Sequence, residues 1–150
     1  MGRIVRCPIE NRVLANADGV LDIFELVAGA NNKCLLHSFR FESDEIAAES
    51  VRLQLCRRST TGTGGVAGVE VLNDEDDGAI TASINFDVTS PGTIGALLTG
   101  YRWEQLGPVE ELFIPEDRIV VAEGGRLCLN VVAAFATDTS ISGHIVWEEI

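Results

Sequence analysis

The sequence predicts an all-β protein, an antiparallel β-sandwich of jelly-roll type with little helix. Apolar and polar residues alternate along most of the 150-residue chain, with the period of two that is typical of strands with one buried face. Turn-forming residues separate these segments, for example at Asn31 and Asn32 and at Gly124 and Gly125. About eight to ten short strands separated by such turns indicate a sandwich or a barrel.

The alternation is clearest in residues 50–58, where Val51, Leu53 and Leu55 are separated by polar residues. On the same basis we predict strands over residues 20–27, 33–42, 50–58, 80–88, 97–106, 109–114, 118–122, 126–136 and 140–149. The last two are the longest and most apolar, and we expect them at the centre of the sheets. Only residues 44–49 and 95–98 have a helical pattern.

One domain accounts for the whole chain, because no repeat or linker divides it. We expect an N-terminal arm over residues 1–8 and a single β-sandwich over residues 9–150. Residues 59–79 are rich in Thr and Gly and then in acidic residues. They form a long excursion between two strands, a kind of segment in which contacts concentrate.

The charge balance excludes two classes of partner. Asp and Glu number 23 and Lys and Arg 11, which gives a formal net charge of −12. Binding to nucleic acid or to an anionic membrane requires a basic face, so we expect neither partner. Lys33 is the only lysine, and the other cations are arginines, which suit ion pairs at subunit contacts.

The four cysteines, Cys7, Cys34, Cys56 and Cys128, form no Cys-x-x-Cys pair. The first residues have no apolar segment of a signal peptide, and no apolar run approaches the roughly 18 residues that span a bilayer. We therefore expect the chain to be made in a cytoplasm, with its cysteines reduced.

The residues of a catalytic site are missing, so we expect no enzyme, cofactor or metal centre. Only His37 and His144 are available as bases, and no Gly-x-Ser-x-Gly turn occurs. The acidic stretch from Asn73 to Asp77 fails the EF-hand pattern, because Ile84 stands where a bidentate Glu is required. A loose cation site made by Asp74, Glu75, Asp76 and Asp77 remains open beside the simpler interpretation of a solvated acidic loop.

Two aromatic residues, Tyr101 and Trp103, share one face of a predicted strand. Such a pair stacks on sugars in some proteins, and in others it belongs to the core or anchors a subunit contact. We retain Tyr101 and Trp103 as interface candidates, with a carbohydrate- or receptor-binding module as an alternative function.

Four blocks of the sequence resemble a family of small proteins of tailed bacteriophages: residues 22–27 (DIFELV), 53–65 (LQLCRRSTTGTGG), 115–121 (PEDRIVV) and 142–149 (SGHIVWEE). Small jelly-roll proteins of such viruses serve as capsid cement or decoration proteins. The resemblance implies a virion structural protein, made in the host cytoplasm and located on the capsid surface. The implied partners are the major capsid protein and further copies of the chain, in a dimer or trimer. A tail, neck or fibre protein is the alternative within the virion.

Binding to an assembled shell needs contact residues, and arginines are the best candidates in so acidic a chain. We expect Arg3 and Arg6 of the N-terminal arm to be one docking element. Arg57 and Arg58, at the end of a predicted strand, are a second. Each of them is equally well explained as a solvated arginine or as the partner of an acidic residue within the chain.

Overall fold

A computed structural model describes residues 2–46, 49–74 and 78–150. Single-turn 3-10 helices lie at Asn16–Asp18 and Pro115–Asp117. The strands are β1 (Arg3–Leu14), β2 (Asp22–Val27), β3 (Cys34–Ser43), β4 (Ser50–Arg58), β5 (Val66–Ala67), β6 (Val71–Leu72), β7 (Ser83–Val88), β8 (Ile94–Glu104), β9 (Val109–Leu112), β10 (Ile119–Val121), β11 (Arg126–Val131) and β12 (Thr139–Glu149). Within the described ranges, no helix has the length and apolar character to cross a membrane.

These strands form two antiparallel sheets. Sheet A has the order β10-β3-β12-β1-β6, with β9 also paired to β3, and sheet B has the order β5-β7-β2-β11-β4-β8. The predicted all-β antiparallel sandwich is therefore confirmed. The two C-terminal strands, β11 and β12, lie inside their sheets as expected, because each is paired on both sides.

Strands from the first part of the chain pair with strands from the last part in reverse order, as the two arms of one long folded hairpin would. The first strand, β1, pairs with the last, β12, and β2 pairs with β11. Next, β3 pairs with β9 and β10, and β4 pairs with β8. The segment between β4 and β8, which contains the excursion, adds β7 beside β2, β5 beside β7, and β6 beside β1.

The core lies between the sheets and is centred on phenylalanines. The ring of Phe24 in sheet B lies 6.0 Å from those of Phe39 and Phe41 in sheet A. Leu53 and Leu55 of β4 are buried in the same core, as their alternation predicts. Large aromatic side chains contribute most of the buried apolar area in such a core, so this cluster fixes the two sheets against each other.

The expected N-terminal arm is instead part of a strand. Residues 3–8 belong to β1, whose register with β12 begins at Arg3 opposite Glu149. Proline is tolerated where one side of a strand is unpaired. The short β6 pairs only with Val5 and Arg6, so in the described residues no strand is paired with that side of β1 from Pro8 onward. Pro8 and the nearby charges hid a strand pattern in which Val5 faces the core.

Neither predicted helical stretch is a helix in the described residues. Residues 95–98 lie within β8, where two irregularities in the register with β4 interrupt the strand pattern. In the other stretch, residues 44–46 and 49 have no helical structure, and residues 47 and 48 lie outside the described residues.

Candidate functional site

Strand β8 is the outer edge of sheet B, since β4 is its only partner strand in the described residues. Such an edge presents backbone N–H and C=O groups that a further strand can bind. Residues 94–98 are all exposed. Among them, Ile94, Leu97 and Leu98 are 50%, 57% and 38% exposed. Residues 88–101 are also the longest stretch of the chain without a charged side chain. A long, uncharged and apolar edge is therefore open to solvent in the single chain.

The neighbouring edge of sheet A is apolar as well. Leu112 at the end of β9, Ile114 after it, and Val120 of β10 are all exposed. The two edges lie on the same side of the sandwich, because Arg57 of β4 donates from Nη1 to the carbonyl of Val120 at 2.8 Å. Exposed apolar surface of this kind marks protein contacts. We call this surface the apolar side; it consists of Ile94, Leu97, Leu98, Leu112, Ile114 and Val120.

An open groove of about 570 Å³ lies beside this surface, between β4 and β8. Arg52 and Arg102 stand opposite each other in the register of the two strands, and Leu97 lines the same groove. Arg102 donates from Nε to Ser50 Oγ at 2.6 Å and pairs with Glu104 at 3.2 Å. Glu104 balances the charge of Arg102, so Arg52 contributes the net positive charge of this groove next to the apolar edge.

The outer face of sheet B, which points away from the core, carries a buried polar cluster. Asp22 accepts hydrogen bonds from Arg58 and, at 2.9 Å, from the side-chain amide of Asn130. Arg58 also donates from Nη1 to the carbonyl of Gly92 at 2.8 Å. The side chains of Arg58 and Asp22 are only 3% and 0% exposed. A buried ion pair of this kind is stable only when its remaining polar atoms find partners, which Asn130 and Gly92 supply.

Two thiols lie on the same face. Cys56 of β4 and Cys128 of β11 are directly opposite each other, and their Sγ atoms are 3.0 Å apart without a covalent bond. The hydrogen bond from Cys128 lowers the pKa of Cys56. The same hydrogen bond, together with burial, raises the pKa of Cys128. Cys56 is therefore the more acidic thiol of the pair.

The excursion encloses this face. Residues 59–65 run beside residues 89–93, and three backbone hydrogen bonds of 2.9 to 3.0 Å join the segments. The backbone N–H of Gly62 donates to the Glu25 carboxylate at 3.1 and 3.2 Å. Burial raises the pKa of Glu25, which the hydrogen bond from Gly62 partly opposes. The excursion is therefore a structural cover over polar side chains that would otherwise meet water.

The four arginines expected to contact a partner differ in environment. Arg3 pairs with Glu149 at 2.9 Å and is 23% exposed. Arg6 is exposed on β1, and Arg57 is half-buried. Arg58 is buried in the polar cluster and is not available to a partner, so this prediction is wrong for Arg58. The reason is that the excursion covers the face on which a strand-end arginine would normally be solvated.

The two aromatic candidates face the core. The ring of Tyr101 meets that of Phe39 edge-on, with 5.7 Å between centroids. Trp103 is 1% exposed and donates from Nε1 to the carbonyl of Gly107 at 2.8 Å. Neither ring is displayed as a platform for sugars. Trp103 is a core residue, and Tyr101 of β8 is partly buried and packs against the core.

Most of the acidic residues considered for a loose cation site lie outside the described part of the chain. Of Asp74, Glu75, Asp76 and Asp77, only Asp74 is described. In the described ranges, no group of three or more His, Cys, Asp or Glu side chains is placed to hold a metal ion.

Sequence reasoning missed the buried cluster and the thiol pair. A signal was present, because Asp22 and Glu25 interrupt a strand of otherwise apolar residues. Cys56 and Cys128 stand at positions that alternate with core leucines, although cysteine is rarely exposed. Polar groups and thiols at outward positions together indicate that something covers the sheet.

Comparison of the chain with protein-family models, with curated proteins and with solved structures found no significant match. The function has to be inferred from the residues and their geometry.

Proposed function

We propose that the protein is a virion structural protein, a capsid cement or decoration protein that binds the outside of an assembled phage head. The observation that carries this proposal is the apolar side, with the unpaired edge of β8 at its centre, because it lets copies of the chain join into a multivalent unit on a shell. It gives a β-sandwich a broad contact surface. The resemblance of four sequence blocks to small phage proteins supports the same role.

We further infer that the sandwich is a jelly roll. The pairing of first strand with last, and of each inner strand with its counterpart, supports this inference. This architecture occurs in viral capsid domains and also in lectins and cupins. The lectin alternative receives no support from Tyr101 and Trp103, because both rings face the core.

The proposed contact on the apolar side is with a second copy of the chain. Two chains of net charge −12 repel each other unless they meet on a surface without charge. Residues 88–101 provide such a surface, and the free backbone groups of β8 can pair with those of another β8. A dimer formed in this way presents two copies of its remaining surface to the shell, which strengthens weak individual contacts.

The proposed partner of that remaining surface is the major capsid protein, with Arg6 as the best-placed contact residue. Arg6 is exposed, whereas Arg3 is engaged with Glu149. Deleting residues 2–8 would remove half of β1, so a point substitution is the sharper test. We expect Arg6→Ala to weaken binding to shells that lack the protein. Lys33→Ala removes the same charge at another exposed site and serves as the control.

The location in the particle is tested by quantitative mass spectrometry of purified virions of the virus that encodes the chain. A copy number comparable to that of the major capsid protein supports decoration of the head. A low number that matches the tail symmetry would favour the tail or neck alternative. Absence of the chain from purified virions would overturn the virion role.

The contact between copies is tested by sedimentation of the purified protein. We expect an oligomer for the wild type and a monomer for Leu97→Glu, which places a negative charge on the apolar side. Val20→Glu adds the same charge at a residue that is 46% exposed elsewhere, and it should leave the oligomer intact. A monomeric wild type, or equal behaviour of the two variants, would refute contact through β8.

A further inference from the structure

The proposed function does not use the two thiols on the outer face of sheet B. Cys56 and Cys128 occupy neighbouring central strands at directly opposed positions, and both are fully buried. Their Sγ atoms lie 3.0 Å apart, and Cys128 Sγ also lies 3.4 Å from the backbone carbonyl of Cys56. A disulfide bond is about 2.05 Å long, so closure requires a movement of about 1 Å, within the reach of small side-chain rotations.

We propose that Cys56 and Cys128 are an oxidisable pair, which closes to a disulfide between β4 and β11 when the protein meets a small-molecule disulfide such as oxidised glutathione. The site is reduced in a cytoplasm rich in thiols and oxidised outside it. The disulfide would join two strands across a separation of 72 residues in the chain. A link over so long a loop restricts the unfolded chain strongly and stabilises the folded one.

The reaction is an ordinary thiol–disulfide exchange in two steps. Both thiols are covered in the folded chain, so the exchange takes place in the locally opened state in which residues 59–65 leave this face of sheet B. There the thiolate of Cys56 attacks one sulfur of oxidised glutathione, and the S–S bond of glutathione breaks to release one glutathione thiolate. The thiolate of Cys128 then attacks Cys56 Sγ in the mixed disulfide and releases the second glutathione. Two protein thiols are oxidised and one glutathione disulfide is reduced, and the two protons pass to the released glutathione thiolates.

The surroundings determine the order of the two thiols. The two Sγ atoms share a hydrogen bond, and Arg58 carries a permanent positive charge on the same face as Cys56. The hydrogen bond with Cys128 and the charge of Arg58 lower the pKa of Cys56, against the opposing effects of burial and Asp22, so Cys56 is the attacking thiolate in the first step. Cys128 then lies in position to resolve the mixed disulfide.

The other two cysteines provide an internal control. Cys7 and Cys34 are both buried in sheet A, and neither has a cysteine opposite it in its strand register. Burial, with a smaller effect from Glu70, raises the pKa of Cys7 to about 12. Burial, with a smaller effect from Glu149, raises the pKa of Cys34 to about 12. We expect both thiols to remain reduced under the same treatment.

The experiment uses the purified full chain, and its result is independent of any test on virions. The reduced protein is incubated with oxidised glutathione, the remaining thiols are blocked with an alkylating agent under denaturing conditions, and the protein is digested with trypsin. Each cysteine lies in its own tryptic peptide: residues 7–12, 34–40, 53–57 and 127–150.

The expected result is a disulfide-linked pair of peptides 53–57 and 127–150, with Cys7 and Cys34 alkylated. Cys56→Ser and Cys128→Ser should each abolish the linked pair, whereas Cys7→Ser and Cys34→Ser should leave it unchanged. If all four cysteines of the wild type remain alkylated, the proposal is wrong. A glutathione that stays attached to Cys56, or a linkage to Cys7 or Cys34, would overturn it equally. The wild-type map alone decides the matter if a serine variant fails to fold.

Discussion

Replacing Arg58 with alanine should destabilise the protein by about 3–5 kcal/mol, the usual cost of removing one partner from a buried ion pair. The side chains of Arg58 and Asp22 are 3% and 0% exposed, so solvent cannot replace the lost partner. Without the guanidinium, the hydrogen bond from Asn130 at 2.9 Å is the only one left to the Asp22 carboxylate from the described residues. The carbonyl of Gly92 also loses its donor.

The preceding residue is the matched control, because Arg57 has the same charge and size. Arg57 is half-buried, and its recorded hydrogen bond is to the carbonyl of Val120 at the edge of sheet A. Arg57→Ala should therefore cost about 1 kcal/mol or less. The difference between the losses of unfolding free energy in Arg58→Ala and Arg57→Ala would measure how much burial under the cover over sheet B adds to the cost.

Urea unfolding followed by tryptophan fluorescence is a suitable assay, since Trp103 and Trp147 are both buried. For a domain of this size, a loss of 3–5 kcal/mol lowers the melting temperature by roughly 6–20 °C. The double variant Asp22→Asn with Arg58→Met removes both charges and should be less destabilised than the sum of its single variants. Equal unfolding free energies for Arg58→Ala and Arg57→Ala would refute the assignment of Arg58 as a buried structural cation.

Two further predictions concern sheet A. Burial, and then the charges of Arg6 and Arg40, lower the pKa of His144 below 6.5. The unfolded chain therefore binds the proton more readily, and the unfolding free energy should fall as the pH drops below about 6.5, at no more than about 1.4 kcal/mol per pH unit. In His144→Gln, the unfolding free energy should change less with pH over that range. Parallel pH curves for the wild type and this variant would contradict the assignment of the pH dependence to His144. Separately, a Cβ at Gly143 would lie 2.0 Å from the carbonyl oxygen of Arg40, so Gly143→Ala should cost about 1–3 kcal/mol. In contrast, Gly100→Ala meets nothing closer than 3.7 Å and should change stability by about 0.5 kcal/mol or less.

The strand pattern was predictable because the hydrophobic effect sorts residues by face along each strand. Val51, Leu53 and Leu55 alternate with polar residues, and all three are buried in the core. The same logic failed for residues 3–8, where a proline and two arginines obscure the alternation. That segment nevertheless forms a strand because it pairs with β12 over a long register. This contact joins the two ends of the chain, so no local sequence pattern reveals it.

The site was less predictable than the fold, and Arg57 and Arg58 show why. They are adjacent and chemically identical, yet one reaches the edge of sheet A and the other is buried beside Asp22. Alternation places Arg58 on the outward face, which is normally solvated. Burial there depends on residues 59–65 and 89–93 folding back over the sheet, and this placement follows from hydrogen bonds made far along the chain.

The edges of the two sheets differ in a way that bears on the proposed assembly. The other edge strands, β5, β6, β9 and β10, have between two and four residues each, whereas β8 has eleven. Natural proteins protect long edges with lysine, proline or bulges, because an open apolar edge promotes uncontrolled association. Strand β8 has no lysine or proline, but its register with β4 is irregular near Leu98 and Gly95. These irregularities interrupt the regular backbone hydrogen bonding along β8 that uncontrolled edge-to-edge association would need. They leave a short regular segment of β8 that can pair with another strand. An edge of this form is suited to a closed dimer, which is the arrangement that we propose for the protein on a capsid surface.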